Sequence, residues 1–125
     1  MTMPALTRNS RVFRDLLAGA LLDLPQLYLS HHAGDPGEDG AGELSGALGY
    51  ERQAIFLTRT AVGTLANENT IDVNFLPKGQ VNFFGLWTER TGGEYLTGGP
   101  LSQPIVVEAG ESIHWRETEL IIRLG

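Results

Sequence analysis

The chain has 125 residues and a formal net charge of −6, with 15 acidic against 9 basic side chains. That length supports one hydrophobic core, and the acidic balance argues against a nucleic-acid partner, which needs clustered Lys and Arg to neutralise phosphate. There is no cysteine, which excludes disulfides, thiolate catalysis and cysteine-ligated zinc, while 16 glycines and 6 prolines call for frequent turns.

Residues 1–7 carry no periodicity and include Pro4, and read as an extended arm. From Asn9 to Leu22 the apolar residues Val12, Phe13, Leu16, Leu17, Ala20 and Leu21 recur at helical spacing, which predicts one amphipathic helix. Asn9 or Ser10 is placed to cap it, and Pro25 lies just beyond its end. The helix either covers one end of the core or, with the arm, attaches the protein to a neighbouring subunit. The run Leu16 to Leu24 is interrupted by Gly19 and Asp23 and falls short of the ~20 apolar residues that span a bilayer, so no membrane partner is expected. It also lacks the position and cleavage site of a signal peptide, which makes synthesis in a cytoplasm the simplest expectation.

After Pro25 the chain reads as short strands separated by turns. Leu27, Leu29 and His31 alternate with Tyr28, Ser30 and His32 and point to opposite faces. Further strands are predicted at 51–58, 70–76, 81–88, 94–101, 104–108, 112–115 and 120–124. The turn Arg90-Thr91-Gly92-Gly93 predicts a hairpin between the 81–88 and 94–101 strands. The fold class is all-β, an antiparallel β-sandwich or jelly-roll-like domain with one N-terminal helix. Residues 1–25 form the arm and helix in this reading, and 26–125 the sandwich.

The chain offers little that looks like chemistry. Adjacent histidines on a strand face apart, so His31 and His32 are badly placed to share a metal ion. Asp35, Glu38, Asp39 and Glu43 lack the spacing of a calcium loop, whereas Asp35-Pro36-Gly37 is favourable turn chemistry, so the 33–50 stretch reads as an exposed connection. No nucleophile motif, zinc-protease motif or phosphate loop is present, and no catalytic, cofactor-binding or metal residue is assigned. The carboxylates Glu89, Glu94, Glu108 and Glu111 offer only the pairings any acidic protein has. Phe83, Phe84 and Trp87 lie within one strand and Trp115 on another. They belong to a packed core, to a subunit interface, or to a sugar-stacking surface; the last requires an indole exposed beside polar groups. Candidate interface residues are Val12, Phe13, Leu16, Leu17, Phe84 and Trp87.

Several words in fixed order carry a family resemblance: Leu27-Tyr28-Leu29, Gly34-Asp35-Pro36-Gly37-Glu38, Glu43-Leu44-Ser45-Gly46 and Gly49-Tyr50-Glu51-Arg52-Gln53-Ala54. Together with Leu96-Thr97-Gly98-Gly99-Pro100-Leu101 they resemble a family of small tailed-phage virion proteins, commonly labelled tail-fibre or minor structural proteins. The resemblance runs from Pro25 onward. It implies a non-enzymatic virion component acting through contacts with other phage structural proteins, either the major capsid protein or tail proteins. It also implies a homo-oligomer, with a trimer as one cyclic form. Because the chain has no heptads or collagen-like repeats to form a shaft, the expectation leans toward capsid decoration, with a tail-fibre or tail-tip component as the alternative. His31-His32 depart from the small residues usual before the turn in that family.

Overall fold

The computed structural model describes residues 10–45 and 48–124. In chain order these form α1 (Arg11–Leu22), β1 (Leu27–His32), β2 (Gln53–Ile55), β3 (Leu57–Ala61), β4 (Thr64–Asn67), β5 (Ile71–Val73), β6 (Gly79–Trp87), β7 (Tyr95–Val107), β8 (Ile113–Trp115) and β9 (Ile121–Arg123). Every strand pairing is antiparallel. One sheet has the order β2-β1-β6-β7, a second has β3-β4-β9, and β5 pairs with β8 in a two-stranded ribbon. A single core joins them: Leu29, Ile55, Val81 and Leu86 from the first sheet meet Leu65 and Ile122 from the second and Ile71, Val73 and Ile113 from the ribbon. The result is a β-sandwich-like fold with one N-terminal helix. No helix among the described residues is long and apolar enough to cross a membrane.

Ser10 caps α1, its hydroxyl accepting from the Phe13 N–H at 3.1 Å. The apolar stripe is wider than the surface it meets. Ala18 is fully buried and Leu17 and Leu21 pack partly against the core where α1 rests on β3 and β4, but Val12, Phe13 and Leu16 remain 72%, 49% and 64% exposed.

The strand predicted over 51–58 divides at Phe56 into β2 and β3, which belong to different sheets. At this corner Phe56 is exposed and its N–H is taken by the Asn69 side chain at 2.9 Å. Continuous alternation cannot announce a change of sheet. β4 was not anticipated, because Leu65, Ala66 and Asn67 are all buried and the segment has no alternation to read. Asn67 compensates for its burial by donating to the Asn69 and Arg116 carbonyls at 2.8 and 2.7 Å and accepting from the Leu120 N–H at 2.9 Å. The predicted segments 94–101 and 104–108 are one strand, β7, whose register against β6 shifts between Pro100 and Ile105. The β6–β7 hairpin forms as expected, with Gly92 and Gly93 both at positive φ.

Close approach of β7 to β6 depends on Gly98, where a Cβ would lie 2.4 Å from the Phe84 carbonyl oxygen and 2.5 Å from the Tyr95 hydroxyl. Its neighbour Gly99 would meet only the Phe84 ring, at 3.7 Å. Gly98→Ala is therefore expected to lower stability by about 1–3 kcal/mol through forced overpacking, while Gly99→Ala costs little. Urea denaturation of both variants checks this, and equal losses would refute the steric account.

Candidate functional site

The strand alternation of β1 builds two different interiors. Leu27, Leu29 and His31 face the sandwich core, whereas Tyr28, Ser30 and His32 share the opposite sheet face with Trp87, Gly85 and Phe83 of β6, their cross-strand partners. This second face is covered by the chain between β1 and β2. Ala33 bonds back to Gly42, Leu44 bonds to the His31 carbonyl, and Pro36 and Gly40 are buried. The turn chemistry is as expected, with the Gly37 N–H donating to the Asp35 carboxylate at 2.8 Å and Gly37 at φ 60°. Most of the connection is exposed, as expected, but its inner side, with Pro36 and Gly40 buried, is also the lid of a buried polar layer. Gly40 lies so close to the Trp87 ring that a Cβ there would approach to 2.4 Å.

Beneath the lid runs a hydrogen-bonded chain. The Trp87 indole N–H donates to Ser30 Oγ at 2.8 Å, the Ser30 hydroxyl donates to His32 Nε2 at 2.6 Å, and His32 Nδ1–H donates to the Ala41 carbonyl at 2.7 Å. The carbonyl can only accept, which places a proton on Nδ1, and burial disfavours a second proton on Nε2, leaving it to accept from Ser30. Burial holds its pKa below the ordinary histidine value, partly offset by the Ala41 hydrogen bond and the charge of Glu43. Serine beside histidine resembles a nucleophile with its base, but both residues are fully buried and no carboxylate orients the imidazole. A Cβ on Gly85 would lie 2.5 Å from Ser30 Oγ, which leaves no room for a reacting carbon. The pair is a structural relay.

An ion pair closes the layer. Arg52 Nη2 lies 3.0 Å from Glu43 Oε1 and its Nε donates to the same carboxylate, while Tyr50 O–H donates to Glu43 Oε2 at 3.0 Å. The other Arg52 terminal nitrogen donates to the Glu89 and Gly92 carbonyls at 2.9 and 2.8 Å, and the guanidinium lies 3.6 Å above the Trp87 ring centre. Tyr50 in turn accepts from the His31 backbone N–H at 2.9 Å, and burial, then Glu43, raises its pKa. One arginine thus joins the lid, the β6–β7 turn and the aromatic centre. Glu43, Tyr50 and Arg52 were not singled out from the sequence as interacting groups. The available signal was their presence in the fixed family words, with Tyr50 and Arg52 two residues apart and so on one side of an extended segment.

On the core face, His31 stacks on Trp115 with 6.2 Å between ring centres, and the Trp115 N–H donates to His31 Nε2 at 3.0 Å. Burial pushes the imidazole from 6.5 down to about 3, with His32 adding to the effect. The two histidines do face apart, as their adjacency requires. Among the described residues no three His, Asp or Glu side chains are grouped to hold a metal ion.

The six interface candidates do not share one surface. Val12, Phe13 and Leu16 are exposed and Leu17 is half-buried, but Phe84 and Trp87 are only 7% and 9% exposed. The two β6 aromatics are mostly packed within the single chain, with only an edge of Phe84 reaching the groove beside β7. A strand apolar on both faces is here a central strand covered on both sides.

With this geometry in place, the chain matches the family model described as podophage GP4 fiber I protein gp80 over residues 11–123. It belongs to that family. No curated protein matches it. The chain is accordingly a non-enzymatic bacteriophage structural protein of the virion, associated with other phage structural proteins, and the family description favours the fibre reading over the capsid decoration preferred from the sequence. The lack of coiled-coil heptads, which weighed toward decoration in the sequence, does not count against a place in a fibre.

Two outcomes follow from the site. Glu43→Gln leaves the Arg52 charge with weakened compensation in a largely enclosed site, and is expected to cost about 2–4 kcal/mol, below the range for fully buried pairs because Glu43 is partly exposed. A double-mutant cycle with Arg52→Met checks it: additive losses would show that the two groups do not act as a pair. For His31, the unfolded chain takes up a proton near pH 6.5 that the folded chain does not accept until about pH 3. The stability contributed by the neutral ring is therefore intact above 6.5 and lost as pH falls through that window. Urea midpoints should fall between pH 7 and pH 4, and His31→Gln should flatten the fall.

Proposed function

We propose that the protein is a compact module of the tail-fibre apparatus, joined to neighbouring subunits through the outer face of α1. The observation that carries this reading is the exposure of Val12, Phe13 and Leu16 on a helix whose opposite side is anchored by buried Ala18. A helix that only sealed the core would turn its large apolar residues inward and leave the small ones outside. Here Leu17 and Leu21 do pack partly against the core, but Val12, Phe13 and Leu16 are turned outward. Arg59 and Asp15, 3.2 Å apart, add a polar border to the patch, the anatomy of a contact surface with an apolar centre and polar rim. The fibre placement is supported by the family, and the rigid sandwich supplies a scaffold that holds α1 in one orientation. Self-association into a cyclic oligomer, with a trimer as the first case to test, fits a protein that works by repeated contact.

The combined Val12→Ser and Leu16→Ser exchange should leave the melting temperature within about a few degrees of the parent, since both residues are exposed. The same variant should fail to enter virions when supplied as the sole copy. Gold labelling of a tagged parent protein should decorate the fibres. Label on the capsid lattice, or normal incorporation of the variant, would overturn the proposal.

A further inference from the structure

A groove of about 420 Å³ opens between β7 and β9, on the side of the molecule away from the lid. Its size falls within the range of small-ligand sites, roughly 300–1,000 Å³. Trp115, Phe84, Leu101 and Ile105 form its apolar surface. Trp115 is held unusually firmly for a residue that reaches an open groove: the ring stacks on fully buried His31, and the indole N–H is committed to His31 Nε2 at 3.0 Å. With its one donor occupied, the indole can offer the groove only an apolar aromatic surface, already oriented before any ligand arrives.

The polar rim has a different character. Gln103, Glu119 and Arg123 line the same groove and are exposed, presenting an amide, a carboxylate and a guanidinium. One acid and one base leave the rim without net charge, while together they supply several donors and acceptors in planar groups. A ligand of either sign would find one attracting and one repelling group on the rim, so neither charge is favoured. An added peptide strand is poorly served as well, because Pro100 and Pro104 remove two backbone donors from β7, the edge strand that borders the groove. A fixed aromatic surface beside neutral, mixed hydrogen-bonding groups suits a molecule with apolar C–H faces and many hydroxyls.

We propose that the β7–β9 groove is a binding site for a neutral oligosaccharide, stacked on Trp115 and hydrogen-bonded by Gln103 and Arg123. Neither indole is fully exposed: Trp87 is enclosed under the lid, while Trp115 is half-buried and brings part of its ring to the groove beside the polar rim. The site stands on different residues from the α1 face, so either can exist without the other.

The test uses the full chain on a glycan array carrying neutral hexose, deoxyhexose and N-acetylhexosamine glycans beside sialylated and sulfated ones. A panel of extended peptides is included on the same surface. Saturable binding to at least one neutral glycan is expected, and affinity measured by tryptophan fluorescence should weaken roughly threefold to tenfold for each of Gln103→Ala and Arg123→Ala. Both side chains are exposed, and unchanged circular dichroism and melting temperature would confirm that the variants fold. The Val12→Ser, Leu16→Ser variant should bind as the parent does. Absence of binding to every neutral glycan, preference for charged glycans or peptides, or retention of full affinity in both rim variants would each overturn the proposal.

Discussion

Everything on the outer face of the first sheet depends on Arg52 being neutralised by Glu43. The guanidinium is nearly enclosed, with its side chain 9% exposed, and a charge in that position is tolerable only when its donors are met. Glu43 meets two of its nitrogens, the Glu89 and Gly92 carbonyls meet the third, and the Trp87 ring receives its flat face. These partners come from the lid, the β6–β7 turn and the middle of the sheet. Satisfying one side chain therefore brings three separate parts of the chain into register.

The lid, once fixed, makes possible the relay beneath it. Trp87, Ser30 and His32 would be poor neighbours in contact with water, where each could choose other partners. Enclosed, they have one satisfied arrangement, and the small residues Gly40 and Gly85 allow the layers to approach closely enough to form it. The protein thus has two interiors, an apolar one between the sheets and a polar one under the lid. The strict alternation of β1 serves both. A sheet covered on each side gives a virion component a fixed scaffold, and the two contact surfaces we propose lie elsewhere: on the outer side of α1 and in the groove between β7 and β9.

The helix and the β6–β7 hairpin were legible because their signals are local. A serine cap, a helical apolar period and a Gly-Gly turn act within a few residues of themselves. The division of the 51–58 strand at Phe56, and the existence of β4, were not legible, since a sheet switch and a fully buried short strand leave no periodic trace. The polar layer was hidden for a related reason. Glu43 and Arg52 are nine residues apart in a glycine-rich segment whose composition suggests solvent, and their carboxylate and guanidinium look like ordinary surface charges until the Trp87 ring is placed beneath them.

By itself the sequence determined an all-β domain with one capped helix, opposed histidines and none of the familiar catalytic motifs, because turn chemistry, side-chain alternation and motif spacing are properties of short stretches. Only the tertiary structure decided which apolar residues are free. Phe84 and Trp87, as hydrophobic as Val12 and Leu16, are covered because strands distant in sequence and a loop fold over them. Val12 and Leu16 stay open because α1 meets its sheet through Leu17, Ala18 and Leu21, along one edge of a stripe wider than the contact. Exposure is a relation between distant segments, and no local pattern contains it.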